Sequence, residues 1–216
     1  MGNEARKAFP RLEGLLKDRT VLDIGGAAGP VCDWAKVWDL SDGDAQTMIG
    51  AEPESWDVVF SSHCIEHLKD PTAALHTWWR LVKPGGLLIV LAPDEDLYEQ
   101  HVWPSRFNGD HKATLTAGKD WSWSPVSHSF TEMIRGLPNH KLYSLRTVDY
   151  GYDYTKSNVD QTGGGAEASV ELVLIKRPPK PEVPALEVKE LICTNCRAKF
   201  LGVGECYECA KCLGLV

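Results

Sequence analysis

No stretch of this 216-residue chain approaches the run of about 20 apolar residues that a membrane-spanning helix needs. No apolar leader opens it either. Glu4, Arg6, Lys7, Arg11 and Glu13 interrupt any signal-peptide core, so the expected location is cytoplasmic, with no membrane partner. Basic residues are in the minority, 23 Lys and Arg against 30 Asp and Glu, for a formal net charge of −7. That balance argues against a protein that wraps nucleic acid electrostatically, although a small basic patch stays compatible with it. Cysteine is scarce before residue 193, where only Cys32 and Cys64 occur, and no internal repeat appears. What remains is an apolar fraction of 43%, enough for a packed core, on a length that suits one α/β domain with a small appendage.

The most informative segment is Val21-Leu22-Asp23-Ile24-Gly25-Gly26-Ala27-Ala28-Gly29, a buried strand running into a loop almost without side chains. Only such residues let backbone approach a cofactor directly. A dinucleotide loop, Gly-x-Gly-x-x-Gly, is not spelled here, because Ala27 and Pro30 stand at its third and sixth positions. The spacing fits Gly-x-Gly-x-Gly with Ala at the middle glycine and an acid, Asp23, two residues upstream. Downstream, Ser55 to Ser62 is an apolar run of strand length. Asp70 and Pro71 then make a helix start, and Ala73, Ala74, Leu75, Trp78, Leu81 and Val82 recur at helical spacing. Lys83-Pro84-Gly85-Gly86 reads as the helix terminator, and Leu87 to Leu91 as a second buried strand. Strand, loop, strand, helix and strand in this order form a right-handed α/β series.

The Gly loop resembles motif I of the class I S-adenosylmethionine (SAM) methyltransferases. The segments WDVVFSS…EHLKDP and LVKPGGLLIV look like the middle of the same fold, in the same order. Residues 1–177 as a whole resemble the type 11 group. The resemblance implies a Rossmann-like class I methyltransferase sheet with helices on both faces, and an enzyme that uses SAM. It places the cofactor across the carboxyl ends of the strands. Gly25, Gly26, Ala27 and Gly29 would pass beneath it, and Asp23 would sit near the methionine ammonium or orient loop amides. Ser62 and His63 would lie beside the sulfonium. Asp39 would be the ribose acid, and Asp44 with Ala45 the segment that reads adenine. One departure stands out: the stretch from Gly25 to Ser55 is too short for the usual helix-strand-helix-strand insert, and Val37 to Leu40 is its one strand-like segment. Either Asp39 serves the ribose or a strand is missing and the ribose is bound otherwise.

His63-Cys64-Ile65-Glu66-His67 spells the inverted zincin motif, two histidines and a glutamate on one helix. It begins at the end of a buried strand, ahead of the helix start at Asp70, which disfavours a peptidase. Glu66 and His67 are then expected to hold the turn together. Methyl transfer needs in-line geometry above all. If the acceptor is a hydroxyl, a histidine base helps, and His63 and His111 are the candidates, with Asp94 at the pocket edge. Glu95 to Pro125 is long, polar and aromatic, as suits a lid or an acceptor-binding element, or the packing of a loop over a small core. Ser127 to Gly136 reads as a helix, Lys141 to Val148 and Ala168 to Ile175 as closing antiparallel strands, and Tyr152 to Gly165 as a mobile loop with a glycine hinge. Residues from about 3 to 17 read as an amphipathic helix with Ala8, Leu12, Leu15 and Leu16 on one side.

Arg177 to Pro184 is a stiff proline-rich segment, so residues 178–190 read as a linker and 191–216 as a separate module. There Cys193-x2-Cys196 and Cys209-x2-Cys212 have the spacing of a four-thiolate zinc site, with Cys206 competing for Cys209. So short a module cannot build a sufficient core, and a structural Zn2+ would supply its folding energy. The tail resembles a zinc ribbon. A disulfide framework is the alternative, disfavoured without a secretory leader.

Three functions follow from these readings. The first is a methyltransferase acting on a hydroxyl or amine of a small molecule or saccharide. The second is a nucleic-acid or protein methyltransferase recruited through the ribbon, and the third a non-catalytic SAM-binding or interaction protein. The Pro-Pro-Tyr tetrad of enzymes that methylate base amines is absent, since Ser61-Ser62-His63-Cys64 stands in its place.

Overall fold

The computed structural model describes residues 4–179, 188–193 and 195–203. The chain divides into two compact units, Met1–Pro179 and Lys180–Val216.

The first unit opens on helix α1 (Glu4–Leu16), whose Ala5, Ala8, Leu12 and Leu16 recur at three- and four-residue intervals and are buried. Strands β1 (Val21–Ile24), β2 (Lys36–Trp38), β3 (Trp56–Ser62) and β4 (Val82–Pro93) follow, with α2 (Pro71–Leu81) between the last two. Further on lie β5 (Thr114–Thr116), β6 (Ser127–Ser129), α3 (Phe130–Met133), β7 (His140–Val148) and β8 (Ser169–Lys176). The main sheet has the order β2-β1-β3-β4-β8-β7. The pairs β2–β1, β1–β3 and β3–β4 are parallel, whereas β8 runs antiparallel to both β4 and β7.

Alternation along β4 shows why a continuous apolar run makes a central strand. Leu88, Val90 and Ala92 face one core, with Leu75, Trp78 and Phe130, while Leu87, Ile89 and Leu91 face the other, with Ala8, Leu12 and Leu16. Both faces are covered, so no polar alternation is needed. The Rossmann-like α/β sheet expected from the sequence is present, with β2 as its short edge. Between β1 and β3 the chain forms one three-residue strand and no α-helix, which is what the shortened spacing allows.

Two local readings are corrected. The helix start is as expected, with the Asp70 carboxylate accepting from Ala73 N at 2.9 Å and Pro71 at the first helical position. The Pro-Gly-Gly segment, however, does not form a separate terminator. The helix ends at Leu81, and Val82 to Gly86 enter β4 at once, with a shift of register against β3. Gly86 is required there, because a Cβ would lie 2.7 Å from the Asp57 carbonyl oxygen. Likewise, Ser127 to Gly136 is not one helix: Ser127–Ser129 pairs with β5, leaving a four-residue α3 and a 3-10 turn. The pull of β5 on this segment outweighs its helical periodicity.

The long insert after β4 is tied down by one buried carboxylate. Glu95 accepts from Lys119 Nζ (2.7 Å), Ser122 Oγ (2.9 Å), Thr114 Oγ1 (3.0 Å) and Ser127 Oγ (2.6 Å). Asp94, expected at the pocket edge, instead accepts the backbone N–H groups of Asp96 and Leu97. Tyr98 and Phe107 pack with Leu97, Ala168 and Tyr152, whereas Trp121 is exposed.

The second unit contains an antiparallel pair, β9 (Val188–Ile192) and β10 (Lys199–Val203). Between the strands, Cys193 N donates to Ala198 O (2.8 Å) and Arg197 N to Cys193 O (2.9 Å), with Arg197 in the left-handed region. Cys193 and Cys196 thus share one hairpin turn, Cys193 buried and Cys196 exposed. Cys206, Cys209 and Cys212 lie outside the described residues. No described helix is long and apolar enough to cross a membrane.

Candidate active site

A cavity of about 230 Å³ opens at the carboxyl ends of β1 and β3. Gly25, Gly26 and Gly29 form its floor. The floor is bare by necessity. Gly25 has φ of 82°, and a Cβ there would lie 2.8 Å from Cys64 Cβ. A Cβ on Gly26 would lie 2.6 Å from Asp23 Cγ. Asp23, also lining the cavity, is buried and accepts from Val31 N at 2.7 Å, which closes the loop across its base. Burial, reinforced by the nearby Asp39, pushes the Asp23 carboxyl up to about 7.

Asp39 follows β2 directly, and its Oδ2 accepts from Ala27 N at 3.1 Å. The two acids therefore hold the loop from its two sides. Asp44 and Ala45 stand apart from the cavity lining. Asp44 accepts from Gln46 N (2.9 Å), and the Ala45 carbonyl is taken by Trp78 Nε1 (2.8 Å).

At the end of β3, Ser62 and His63 line the cavity. His63 sits at φ 52°, its Nδ1 3.1 Å from Ser62 Oγ and its Nε2 3.4 Å from Ser169 Oγ. Enclosure by protein, then the positive fields of His111 and Lys7, push this imidazole down to about 3. Such a group stays neutral at pH 7 and takes up a proton poorly. Cys64 beside it is pushed up to about 12 by burial, and so packs as an inert thiol.

Glu66, His67 and His111 line the next part of the wall. Glu66 and His67 belong to a 3-10 turn, so the His63-x-x-Glu66-His67 sequence is not the mid-helix array of an inverted zincin. Nor does the Glu66 carboxylate hold that turn together. It is 1% exposed, and neither oxygen has a hydrogen-bond partner among the described residues. Its carboxyl is pushed up to about 7 by burial. His67 Nδ1 lies 3.0 Å from Asp110 Oδ2, and His111 Nδ1 lies 2.6 Å from Glu99 Oε1.

The far wall comes from the two ends of the domain: Glu4 and Ala5 of α1, and Asp160, Thr162 and Gly163 of the loop before β8. Lys7 clasps them together. Its Nζ donates to Glu4 Oε1 (2.6 Å), Thr162 O (2.7 Å) and Ala166 O (3.0 Å). The segment read as a mobile loop is thereby anchored. Tyr152 OH adds a bond to Leu97 O (2.8 Å), and Gln161 Nε2 one to Asp153 O (3.0 Å). Four carboxylates line the cavity (Glu4, Asp23, Glu66 and Asp160) with no lysine or arginine among the lining residues. That balance favours a cationic ligand.

The structure therefore gathers Asp23, Gly25, Gly26, Gly29, Ser62, His63 and His111 around one cavity. Ala27, within the loop, and Asp39, bonded to its N–H, do not line the cavity, and Asp44 and Ala45 lie elsewhere. Sequence reasoning missed the walls made by Glu4, Ala5 and residues 160–163, and the meeting of His67 with His111. No local signal in either segment announces them.

A family model for a methyltransferase domain matches residues 1–133. Among solved structures, one from Thermotoga maritima is similar at 18% identity and a TM-score of 0.51, covering 80% of this chain and 89% of its own. It is described as a SAM-dependent methyltransferase, possible histamine N-methyltransferase. A protein from Listeria monocytogenes, described as a SAM-dependent methyltransferase, is similar at 13% identity and a TM-score of 0.51, covering 82% of this chain and all of its own. Among curated proteins no relative matches.

Proposed function

The chain belongs to the methyltransferase-domain family and is a SAM-dependent methyltransferase, and from that premise we propose that it methylates a hydroxyl or amine of a small-molecule or saccharide acceptor in the acid-lined cavity. The observation that carries this reading is that lining: a glycine floor where a Cβ on Gly25 or Gly26 would strike Cys64 or Asp23, four carboxylates, and no lysine or arginine among the lining residues. SAM supplies a methyl group on a cationic sulfonium. The S–C bond breaks as the acceptor's O–C or N–C bond forms, and the acceptor proton leaves.

The chain's own residues do the rest. Gly25, Gly26 and Gly29 let the backbone approach the cofactor, with Ala27 in the same loop. Asp23 and Asp39 fix the loop through Val31 N and Ala27 N. We assign Asp39, which follows β2, to the ribose hydroxyls and Asp44 with Ala45 to the adenine end, each outside the cavity lining itself. Ser62 and His63 flank the methyl position. His63, held neutral, shapes this wall more than it moves protons. Glu66, His67 and His111 bear on the acceptor's proton. The Lys7 clasp holds the far wall in place through Glu4, Thr162 and Ala166.

In the second unit, the hairpin turn that holds Cys193 and Cys196 supports a structural Zn2+ completed by Cys209 and Cys212. Its proposed role is to recruit the acceptor.

Calorimetry with SAM on the wild type and on Gly25→Arg tests the cofactor assignment. Micromolar binding by the wild type and at least a hundredfold loss in a folded variant is expected. Equal binding by both would refute the assignment.

A further inference from the structure

Both histidines on the wall opposite the Gly loop are oriented in the same way. His67 presents Nδ1 to Asp110 Oδ2 at 3.0 Å, and His111 presents Nδ1 to Glu99 Oε1 at 2.6 Å. A carboxylate accepting from Nδ1–H fixes the tautomer in which Nε2 carries a bare lone pair. Both Nε2 atoms then face Glu66 Oε1, from 3.7 Å for His67 and 3.9 Å for His111. Those distances are too long for hydrogen bonds. The Glu66 carboxylate is 1% exposed, lines the cavity, and has no hydrogen-bond partner on either oxygen among the described residues. Two imidazole nitrogens thus converge on a carboxylate that has no hydrogen-bond partner of its own among the described residues. Burying a carboxylate in that state is costly unless something positive joins it.

We infer that Glu66, His67 and His111 hold a first-row divalent metal ion. The three ligand atoms lie within 4.8 Å of one another. Two bonds of about 2.1 Å at a tetrahedral angle separate their ends by roughly 3.4 Å, so small side-chain rotations close the site. Asp110 and Glu99 are the outer carboxylates that orient ligating histidines. Two imidazoles with one carboxylate favour manganese, iron, cobalt, nickel or zinc over magnesium or calcium. Three protein ligands leave coordination positions open toward the cavity. A hydroxyl that ligates a cation there is made more acidic, which suits an oxygen acceptor. This acceptor role rests on the methyltransferase reading, whereas the cation site itself does not.

The site was not legible as a motif. Glu66 and His67 are adjacent, but His111 comes from the insert after β4, and the turn that holds the first two is 3-10 and not α-helical.

Mn2+ alone is the probe, because this hard ion disfavours the thiolates of the C-terminal unit. Titrating the full chain with Mn2+, and following loss of the free-ion electron paramagnetic resonance signal, should show one bound equivalent. Glu66→Gln, which preserves shape, and His111→Asn, as a second route, should each weaken binding at least tenfold, with circular dichroism unchanged. Wild type that leaves Mn2+ free at millimolar concentration overturns the inference. So does either folded variant that binds like the wild type, or binding that follows Cys193→Ser instead. SAM calorimetry on the same samples separates the two readings. SAM bound without Mn2+ sinks the cation site alone, and Mn2+ bound without SAM upholds it while removing the cofactor assignment.

Discussion

Replacing Asp23 by asparagine isolates the electrostatic strain built into the floor of the cavity. The carboxyl is buried beneath the Gly loop, and its pKa is displaced from 3.8 to about 7, chiefly by loss of solvent. That displacement corresponds to roughly 4 kcal/mol of preference for the neutral form. The sign follows from proton counting. Between pH 4 and 7 the folded state holds a proton that the unfolded state has already released, so this group's contribution to stability falls as pH rises through that window and is flat above it. Asparagine keeps an acceptor for Val31 N but cannot ionise. Its added N–H groups cost about 1–3 kcal/mol where they find no partner.

Urea denaturation of both proteins at pH 5, 6, 7 and 8 provides the assay, with the difference between them removing every other titrating group. The Asp23→Asn variant should be the less stable form at pH 5 and should gain on the wild type by up to roughly 3 kcal/mol by pH 8. Parallel curves across that range would refute the reasoning. Cofactor binding carries the same signature. A bound cation favours ionised Asp23, so wild-type affinity for SAM should rise up to about tenfold per pH unit between 5 and 7, and the variant should show no such rise.

Two more outcomes are expected. Arg11 makes a two-pronged contact with buried Glu167 (2.7 and 2.8 Å) and a third bond to Glu171 (2.8 Å); Arg11→Met should cost about 2–4 kcal/mol in denaturation, and adding Glu167→Leu should recover most of it by removing the stranded charge. Deleting residues 178–216 should lower turnover on the true acceptor while leaving SAM affinity unchanged, and unchanged turnover would dismiss the recruiting role of the tail.

The scaffold was legible because its signals are local. Strand-length apolar runs, the Asp70-Pro71 start and the Gly loop each report on neighbouring residues, and the sheet order follows from right-handed connections. Local reading failed where a partner distant in sequence decides. Nothing within Ser127 to Gly136 announces that its first residues pair with Thr114 to Thr116. Nothing in Lys83 to Gly86 announces that the Asp57 carbonyl presses against Gly86. At the site, the glycine floor and Ser62-His63 could be placed because they sit at strand ends. The walls could not. Lys7 reaches Thr162 and Glu66 meets His111 only after the sheet has closed. His63 shows a further limit, since its chemical character depends on enclosure that the sequence does not display.

The Lys7 clasp also sets a timetable. Residues 4 and 5 and residues 160–163 face the same cavity, and β8, which lies between β4 and β7, is added after all of them in chain order. During synthesis the Gly loop emerges early, yet the wall made by Asp160, Thr162 and Gly163 is missing until most of the first unit has left the ribosome. A nascent chain ending at residue 133 would carry the cofactor motif with one side open to water. A product terminated there would lack both that wall and the carbonyl oxygens of Thr162 and Ala166 that Lys7 holds.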